Sequence, residues 1–219
     1  MNSYATRFEQ FALAGDIFTL RVLSDRQQFS DPDGSAAALG ITSATWPLFG
    51  MMWPSALVLA EHVGTLELAP GCRVLETGCG LALASLVLHR RGIDVTASDV
   101  HPNVPGFLAE NLRLNKLPPL PFTAGDWKNP HNPGLGRFEL VIGSDLLYDR
   151  DQPGQLAAFI DRHTEPRAQV ILVDPDRGNR PSFTRALLDF GFALASERRV
   201  HEAPIAGEPY KGRVLTYQR

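Results

Sequence analysis

Residues 72–85 read CRVLETGCGLALAS and join two apolar runs through a glycine-rich turn. The first run is short and bounded by the turn, which is typical of a buried strand. The second run repeats apolar residues at helical spacing until Gly92, and a glycine at this place commonly ends a helix. The stretch therefore predicts a strand over residues 72–76, a turn over 78–81 and a helix over 82–91.

The alternation of strand and helix patterns continues through the rest of the chain. Such alternation is typical of right-handed crossovers between parallel strands, in a sheet covered on both faces. Residues 201–212 hold two prolines and two glycines between two strand patterns, which predicts a long hairpin and one antiparallel strand. We expect further strands at residues 93–98, 122–124, 138–144, 169–173, 192–200 and 213–217, and helices from Pro54 and over 104–115, 152–163 and 181–190.

The first 48 residues are predicted to form an extension of a domain that spans residues 49–219. Two short apolar-rich segments, 7–13 and 17–23, flank a break at Ala14-Gly15-Asp16, which favours a β-hairpin. Residues 27–43 are rich in Asp, Gly, Ser and Ala, a composition typical of a loop.

Composition excludes several classes of protein. The chain of 219 residues is long enough for one large domain, and its net charge of −3 gives no general attraction to nucleic acid. The N-terminus has no apolar run after a basic start, and no apolar run approaches the roughly 18 residues of a membrane span. Two cysteines, Cys72 and Cys79, form no metal-binding pattern with the histidines. We therefore expect a soluble cytoplasmic protein with no metal site.

The turn after the first strand of this pattern is a candidate ligand site, because open α/β sheets bind ligands at the carboxyl ends of their strands. Gly78 and Gly80 flank Cys79 and let the backbone approach a ligand. Leu83 stands where a dinucleotide fingerprint needs its third glycine, and the carboxylate of Glu76 would repel pyrophosphate. The acid suits a ligand with an ammonium group, although a plain strand–helix turn fits the same residues.

Two further strand ends carry acids. Asp99 follows Gly78 by 21 positions, close to the spacing of about 20 at which a ribose-binding acid is expected. Its carboxylate can accept hydrogen bonds from both ribose hydroxyls; the alternative is a helix cap. Asp126 and Trp127 could accept from an adenine amino group and cover the ring, or form a polar turn with a packing tryptophan.

Further candidate ligand-binding residues lie at the end of the fourth strand and at the start of the first helix. After the fourth strand come Ser144, the acid Asp145 and the phenol Tyr148, which would lie beside the centre of the sheet. The alternative is a capping aspartate and a core tyrosine. Trp53 precedes the helix that begins at Pro54. It could attract a cation over its ring or pack as a lid or core residue.

Taken together, the runs VLETGCGLALASL, VTASDVHPN, ENLRLN, GDW and FELVIGSDLLYD resemble the seven-stranded S-adenosylmethionine-dependent methyltransferases. More narrowly, residues 49–217 are similar to the small protein lysine methyltransferases. The narrower features are the Trp53 helix start, the spacing of Asn111 and Asn115, and the pair Asp145 and Tyr148. The run LALAS after Gly80 departs from the more usual glycine or small residue.

The resemblance implies a Rossmann-like sheet with strand order 3-2-1-4-5-7-6, in which strand seven is antiparallel. It implies S-adenosylmethionine as cofactor and a protein substrate. It places Asp145 and Tyr148 at the target side chain as catalytic candidates. The candidate cofactor-binding residues are Trp53, Glu76, Gly78, Cys79, Gly80, Asp99, Asp126, Trp127 and Ser144, with the acid Asp99 at the ribose and Asp126 and Trp127 near adenine.

The chemistry of a sulfonium methyl group sets the task of such an enzyme. The methyl group is already activated, so the protein mainly aligns a nucleophile with it. A lysine amine, with an ordinary pKa of about 10.4, must lose its proton before attack. Asp145 would attract the ammonium form but would also raise its pKa. We therefore expect Asp145 and Tyr148 to position the amine, while water or a neighbouring group takes the proton.

Several other functions compete with protein lysine methylation. A small-molecule or histidine methyltransferase fits the same motifs, as does a cofactor-binding module without activity. An NAD-dependent oxidoreductase is disfavoured by Glu76 and Leu83. A nucleic-acid amino methylase is disfavoured because SDLLY stands where such enzymes carry an NPPY-type motif. The sequence predicts no oligomeric state.

Overall fold

The computed structural model describes residues 4–201 and 210–219, and this part of the chain holds two sheets and six α-helices. A short 3-10 helix, Trp46–Gly50, precedes the second helix. The strands are β1 (Thr6–Leu13), β2 (Asp16–Leu23), β3 (Arg73–Thr77), β4 (Asp94–Asp99), β5 (Phe122–Ala124), β6 (Phe138–Ser144), β7 (Thr164–Asp174), β8 (Ala193–Val200) and β9 (Gly212–Gln218). The helices are α1 (Ser35–Ala38), α2 (Pro54–Thr65), α3 (Leu83–Arg90), α4 (Val104–Leu114), α5 (Gln152–Arg162) and α6 (Arg180–Asp189).

The main sheet has seven strands in the order β5-β4-β3-β6-β7-β9-β8. Neighbours from β5 to β7 pair in parallel, whereas β9 runs antiparallel to both β7 and β8. Counted from β3, this is the order 3-2-1-4-5-7-6 with strand seven antiparallel. The fold predicted from the sequence is therefore confirmed.

Helices cover both faces of this sheet, as the sequence pattern predicted. One hydrophobic core packs α2, α3 and α4 against one face, and a second core packs α5 and α6 against the other. The central strands are buried on both faces, which explains why β3 and β6 read as nearly continuous apolar runs.

The predicted N-terminal hairpin is present as a separate two-stranded antiparallel sheet, β1 paired with β2 through a turn at Ala14-Gly15. It packs on α4, where Asn111 and Asn115 accept hydrogen bonds from the backbone N–H groups of Arg21 (2.7 Å) and Thr19 (2.9 Å). Its buried side chains belong to the same core as α2, α3 and α4.

Three elements differ from the sequence prediction, and one of them is the 3-10 helix Trp46–Gly50, which was not predicted. Strand β7 begins at Thr164 rather than at residue 169. The sequence did not predict its first residues, because Glu165, Pro166 and Arg167 carry no apolar pattern. Helix α1 lies within the predicted loop 27–43, where the Asp31 carboxylate accepts hydrogen bonds from the N–H groups of Ala36 and Ala37. Most of the predicted hairpin at 201–212 lies outside the described residues.

Within the described ranges, the helices are too short or too polar to cross a membrane.

Candidate active site

A cavity of about 640 Å³ opens at the carboxyl ends of β3, β4, β5 and β6. Its volume falls within the range of about 300–1,000 Å³ that is usual for small-molecule sites. The predicted site residues that line it are Trp53, Gly78, Cys79, Gly80, Asp99, Asp126, Trp127, Ser144, Asp145 and Tyr148. The structure thus brings together every predicted site residue except Glu76.

The turn between β3 and α3 needs its two glycines. Gly78 and Gly80 have φ angles of +58° and +51°, in the left-handed region that favours glycine. A Cβ atom on Gly80 would lie 2.9 Å from the carbonyl oxygen of Phe49, and one on Gly78 would lie 2.6 Å from Leu146. At these two positions the turn therefore has no side chain and no room for one, so its backbone lines the cavity directly.

Asp99 ties the end of β4 to this glycine turn. One carboxylate oxygen accepts a hydrogen bond from the N–H of Gly80 at 2.9 Å, and the other accepts from the N–H of His101 at 2.8 Å. Burial raises the pKa of Asp99. Each oxygen keeps a further lone pair, so the carboxylate can still accept from a ligand hydroxyl.

Glu76 lies beneath the turn rather than on the cavity wall. Its side chain is buried, and one carboxylate oxygen accepts hydrogen bonds from both the backbone N–H (2.7 Å) and the hydroxyl of Ser85 in the first turn of α3. Burial raises the pKa of Glu76 to about 7. Its geometry supports the turn and the start of α3, while its contact with a ligand ammonium group stays a prediction.

Trp127 and Asp126 follow β5 and close the cavity over the glycine turn. The indole N–H of Trp127 donates to the hydroxyl of Thr77 at 2.9 Å, which fixes the ring across the end of β3. Asp126 accepts a hydrogen bond from the N–H of Lys128 at 3.0 Å, the turn role that the sequence left open for it. Both residues nevertheless line the cavity.

Asp145 forms a two-pronged ion pair that the sequence did not predict. The Arg177 guanidinium donates from Nε to Oδ1 at 2.5 Å and from Nη2 to Oδ2 at 2.8 Å. The Asp145 backbone is left-handed, with φ +55°, and its N–H donates to the carbonyl of Val173 at 2.8 Å. Tyr148 is about half exposed at the rim. The acid and the phenol therefore face one cavity, but a cation already contacts the acid.

The N-terminal region supplies a wall that the sequence did not predict either. Leu39, Ile41 and Thr45 line the cavity, and the Arg26 guanidinium lies 4.8 Å from the ring centre of Trp53. Loop composition carries no signal for such a wall, because it depends on how distant segments pack. The indole N–H of Trp53 donates to the Leu48 carbonyl at 2.9 Å, which positions the ring.

His101 is a further cavity residue that sequence patterns did not single out. Its ring stacks on Phe49 with centroids 3.9 Å apart, and burial lowers its pKa to about 4. Its Nδ1 accepts from the N–H of Asn103 at 3.2 Å, which places the proton of the neutral ring on Nε2. Among the described residues, no group of His, Cys, Asp or Glu side chains is arranged to hold a metal ion.

Comparison with known families places the chain in a family of enzymes. The model of the lysine methyltransferase family matches residues 47–184, more than half of the chain. The chain belongs to this family. Membership confirms the resemblance stated from the sequence motifs, and with it S-adenosylmethionine as the expected cofactor.

Individual relatives act on different acceptors. The chain is 37% identical over 107 residues to a magnesium-protoporphyrin O-methyltransferase of Rhodobacter capsulatus, covering 48% of this chain and 46% of that protein. It is 26% identical over 141 residues to the electron transfer flavoprotein beta subunit lysine methyltransferase of Rattus norvegicus, covering 63% and 53%. The chain thus spans about half the length of the curated relatives it matches.

A solved structure shares the fold. The magnesium protoporphyrin IX methyltransferase of Synechocystis with bound SAM has a TM-score of 0.61 and 19% identity, over 88% of this chain and all of that one. At this identity the likeness concerns the architecture alone.

The cavity fits S-adenosylmethionine by its chemistry. The bare backbone at Gly78 and Gly80, the remaining lone pairs of Asp99 and the indole of Trp127 match the amino-acid, ribose and adenine parts of that molecule. All four residues line the same cavity.

Proposed function

We propose that this protein is an S-adenosylmethionine-dependent methyltransferase that modifies a lysine side chain of another protein. The observation that carries the proposal is the pair Asp145 and Tyr148 on the wall of the cavity that holds the glycine turn. An acid and a phenol beside a methyl-donor site offer hydrogen-bond acceptors to the amine at the end of an extended side chain. The lysine methyltransferase family match over residues 47–184 supports the same substrate class.

The chain's own residues divide the work. Bound S-adenosylmethionine supplies a methyl group that is already activated. The glycine turn and Asp99 hold the donor, and Trp53 and Trp127 limit access of water on either side. Asp145 and Tyr148 orient the acceptor nitrogen, which must arrive neutral or lose its proton to water before transfer.

A second candidate is methylation of a carboxylate oxygen. It is favoured by Arg177, whose guanidinium lines the cavity, is 42% exposed and keeps N–H donors beyond the two hydrogen bonds that Asp145 accepts. These donors can bind a substrate carboxylate. The 37% identity to an O-methyltransferase over about half of this chain points the same way.

One experiment separates these candidates. The purified chain is incubated with S-adenosylmethionine that carries a deuterated methyl group, together with electron transfer flavoprotein beta subunit, magnesium protoporphyrin or a whole-cell lysate. Mass spectrometry of the products is expected to show methyllysine. Base-labile methyl ester alone would support the second candidate, and labelled methylhistidine alone would contradict both.

The division of roles has its own test. Asp145→Asn keeps the left-handed backbone, which asparagine tolerates, but removes the charge. We expect transfer to fall by about 100-fold, because a misplaced acceptor loses rate of that order, while calorimetric affinity for S-adenosylhomocysteine stays nearly unchanged. Asp151→Asn, at an exposed position before α5, is the matched control. Parallel loss of cofactor binding and activity in Asp145→Asn would contradict the division.

A further inference from the structure

The ion pair of Asp145 and Arg177 changes what the acid can do for a lysine substrate. Arg177 follows the end of β7, and Asp145 follows the end of the neighbouring strand β6, so adjacent strand ends bring them together. The side chain of Asp145 is only 11% exposed, and both of its oxygens receive a hydrogen bond from the guanidinium. These hydrogen bonds raise the pKa of Arg177 further, so it stays a cation at every working pH.

A lone carboxylate beside a bound lysine would oppose the reaction. It would stabilise the ammonium form, and only the neutral amine can attack a methyl group. A carboxylate with a matched guanidinium has no net charge, so it favours the ammonium far less. Its oxygens still have lone pairs that can accept a hydrogen bond from a neutral amine.

Other ionisable groups lie around the pair, and they are the same in the wild type and in Arg177→Gln, so a comparison of the two isolates the charge of Arg177. Asp174, at the end of β7, is buried and its pKa is raised by burial, whereas Asp176 pairs with Arg213 on β9 at 2.8 Å. Arg180, the first residue of α6, forms an ion pair with Glu197 of β8. In the part of the chain that the structure describes, Asp145 interacts electrostatically with Tyr148 after β6 and with Tyr210 before β9. The phenol of Tyr148 also interacts with Asp99 of β4 and with Asp149.

We propose that Arg177 is a positioning residue that balances the charge of Asp145, so that the site presents a lysine side chain as the neutral amine. The inference rests on the proposed lysine methyltransferase function. It adds the residue that lets Asp145 bind the lysine side chain without strongly raising the pKa of the lysine amine. Arg177 acts through Asp145 and does not itself take the proton, which leaves to water.

The test is a pH–rate profile of Arg177→Gln, with a synthetic peptide as substrate that carries, in unmethylated form, the lysine identified by the labelling experiment. Without the guanidinium, the carboxylate stands alone, and the rise of kcat with pH is expected to move upward by about one pH unit or more, the effect of one nearby charge. At a fixed pH below the plateau this is roughly a tenfold loss of kcat. KM is expected not to rise, because the lone acid attracts the ammonium more strongly.

Two variants serve as controls. Arg177→Lys keeps the charge and is expected to restore the wild-type pH profile at a lower rate. Arg180→Gln removes a cation three positions away that pairs with Glu197 at 2.9 Å outside the cavity, and its profile is expected to match the wild type. An equal shift in Arg180→Gln would overturn the proposal, because the shift would then come from the electrostatic field of any nearby cation and not from the ion pair with Asp145.

The remaining outcomes separate the two levels of inference. Methyllysine from the wild type, with a profile that Arg177→Gln leaves in place, overturns the role of Arg177 alone. A raised KM at an unchanged profile also overturns it, and would indicate that Arg177 holds an anionic group of the substrate. Absence of methyllysine from the wild-type reaction overturns the proposed function and this inference together.

Discussion

At the scale of single residues, Glu76 couples the stability of the site to pH. Burial raises its pKa from 4.5 to about 7 in the folded chain. Between these values the unfolded chain releases a proton that the folded chain keeps. The contribution of Glu76 to stability is therefore fully present below about pH 4.5 and is lost as pH rises through 7, a change on the order of 3 kcal/mol.

Glu76→Gln is expected to remove this pH dependence. The amide oxygen can still accept from Ser85, but no charge is buried at high pH. The variant should therefore gain stability relative to the wild type between pH 5 and pH 8, by up to about 3 kcal/mol. Urea unfolding at both pH values measures the difference. The control is Glu67→Gln at an exposed position. The assignment would be contradicted if the stability of the wild type increased relative to that of Glu76→Gln as the pH rises.

At the scale of elements, helix α4 and the residue after it bind the edge of β2 that is not paired with β1. The side-chain oxygens of Asn111 and Asn115 accept the backbone N–H groups of Arg21 and Thr19, and Asn115 also donates to the Thr19 carbonyl at 2.7 Å. An edge strand otherwise presents unpaired backbone groups. The two asparagines, one helical turn apart, therefore fix the hairpin on the helix in a defined register.

Asn111→Ala is expected to destabilise the protein by about 1–3 kcal/mol, because the N–H of Arg21 would be left without its acceptor in a partly buried place. Urea unfolding measures the loss, and hydrogen exchange should show faster exchange at Arg21. The control is Gln10→Ala, since Gln10 is exposed on β1 and bonds only another side chain, Thr19, in the contacts described. Equal losses in the two variants would contradict the role of α4 as partner of β2.

Most of the elements were predictable, because they depend on local patterns, whereas helix α1 and the start of β7 were not. The apolar run of β3, the helical spacing of α3 and the glycine after it identify these elements without knowledge of the rest. The contacts of Asn111 and Asn115 were not predictable, although their spacing was part of the family resemblance. They join segments about ninety residues apart, and no local pattern encodes that pairing.

At the scale of the whole molecule, the residues at the strand ends could be predicted from the sequence, whereas the other residues that line the cavity could not. Parallel strands deliver their carboxyl ends to one edge of the sheet, so Asp99, Trp127 and Asp145 could be placed together from the strand pattern alone. Arg177 also follows a strand, but its sequence fits an ordinary turn. Its pairing with Asp145, like the wall at Ile41, depends on how segments far apart in the chain pack.

The division at residue 48, predicted from the sequence, gives the last prediction. Leu20 of β2 is fully buried in the core that also holds α2, α3 and α4, whereas Ile17 on the same strand is 63% exposed. If the hairpin and the main sheet unfold as one unit, Leu20→Ala should lower the stability of the whole protein by about 2–5 kcal/mol. Ile17→Ala should change it by less than about 0.5 kcal/mol.

Two probes decide whether this loss is shared. Because Trp46 lies within residues 1–48, fluorescence is measured in a Trp46→Phe background, where it follows the main domain through Trp53 and Trp127. Hydrogen exchange follows the backbone of β2. In Leu20→Ala both are expected to report the same lowered urea midpoint, because one continuous core should lose its packing everywhere at once. If β2 exchanged faster while the fluorescence midpoint stayed at the wild-type value, residues 1–48 would be a separately folding appendage, and the N-terminal wall of the cavity would be free to move with it.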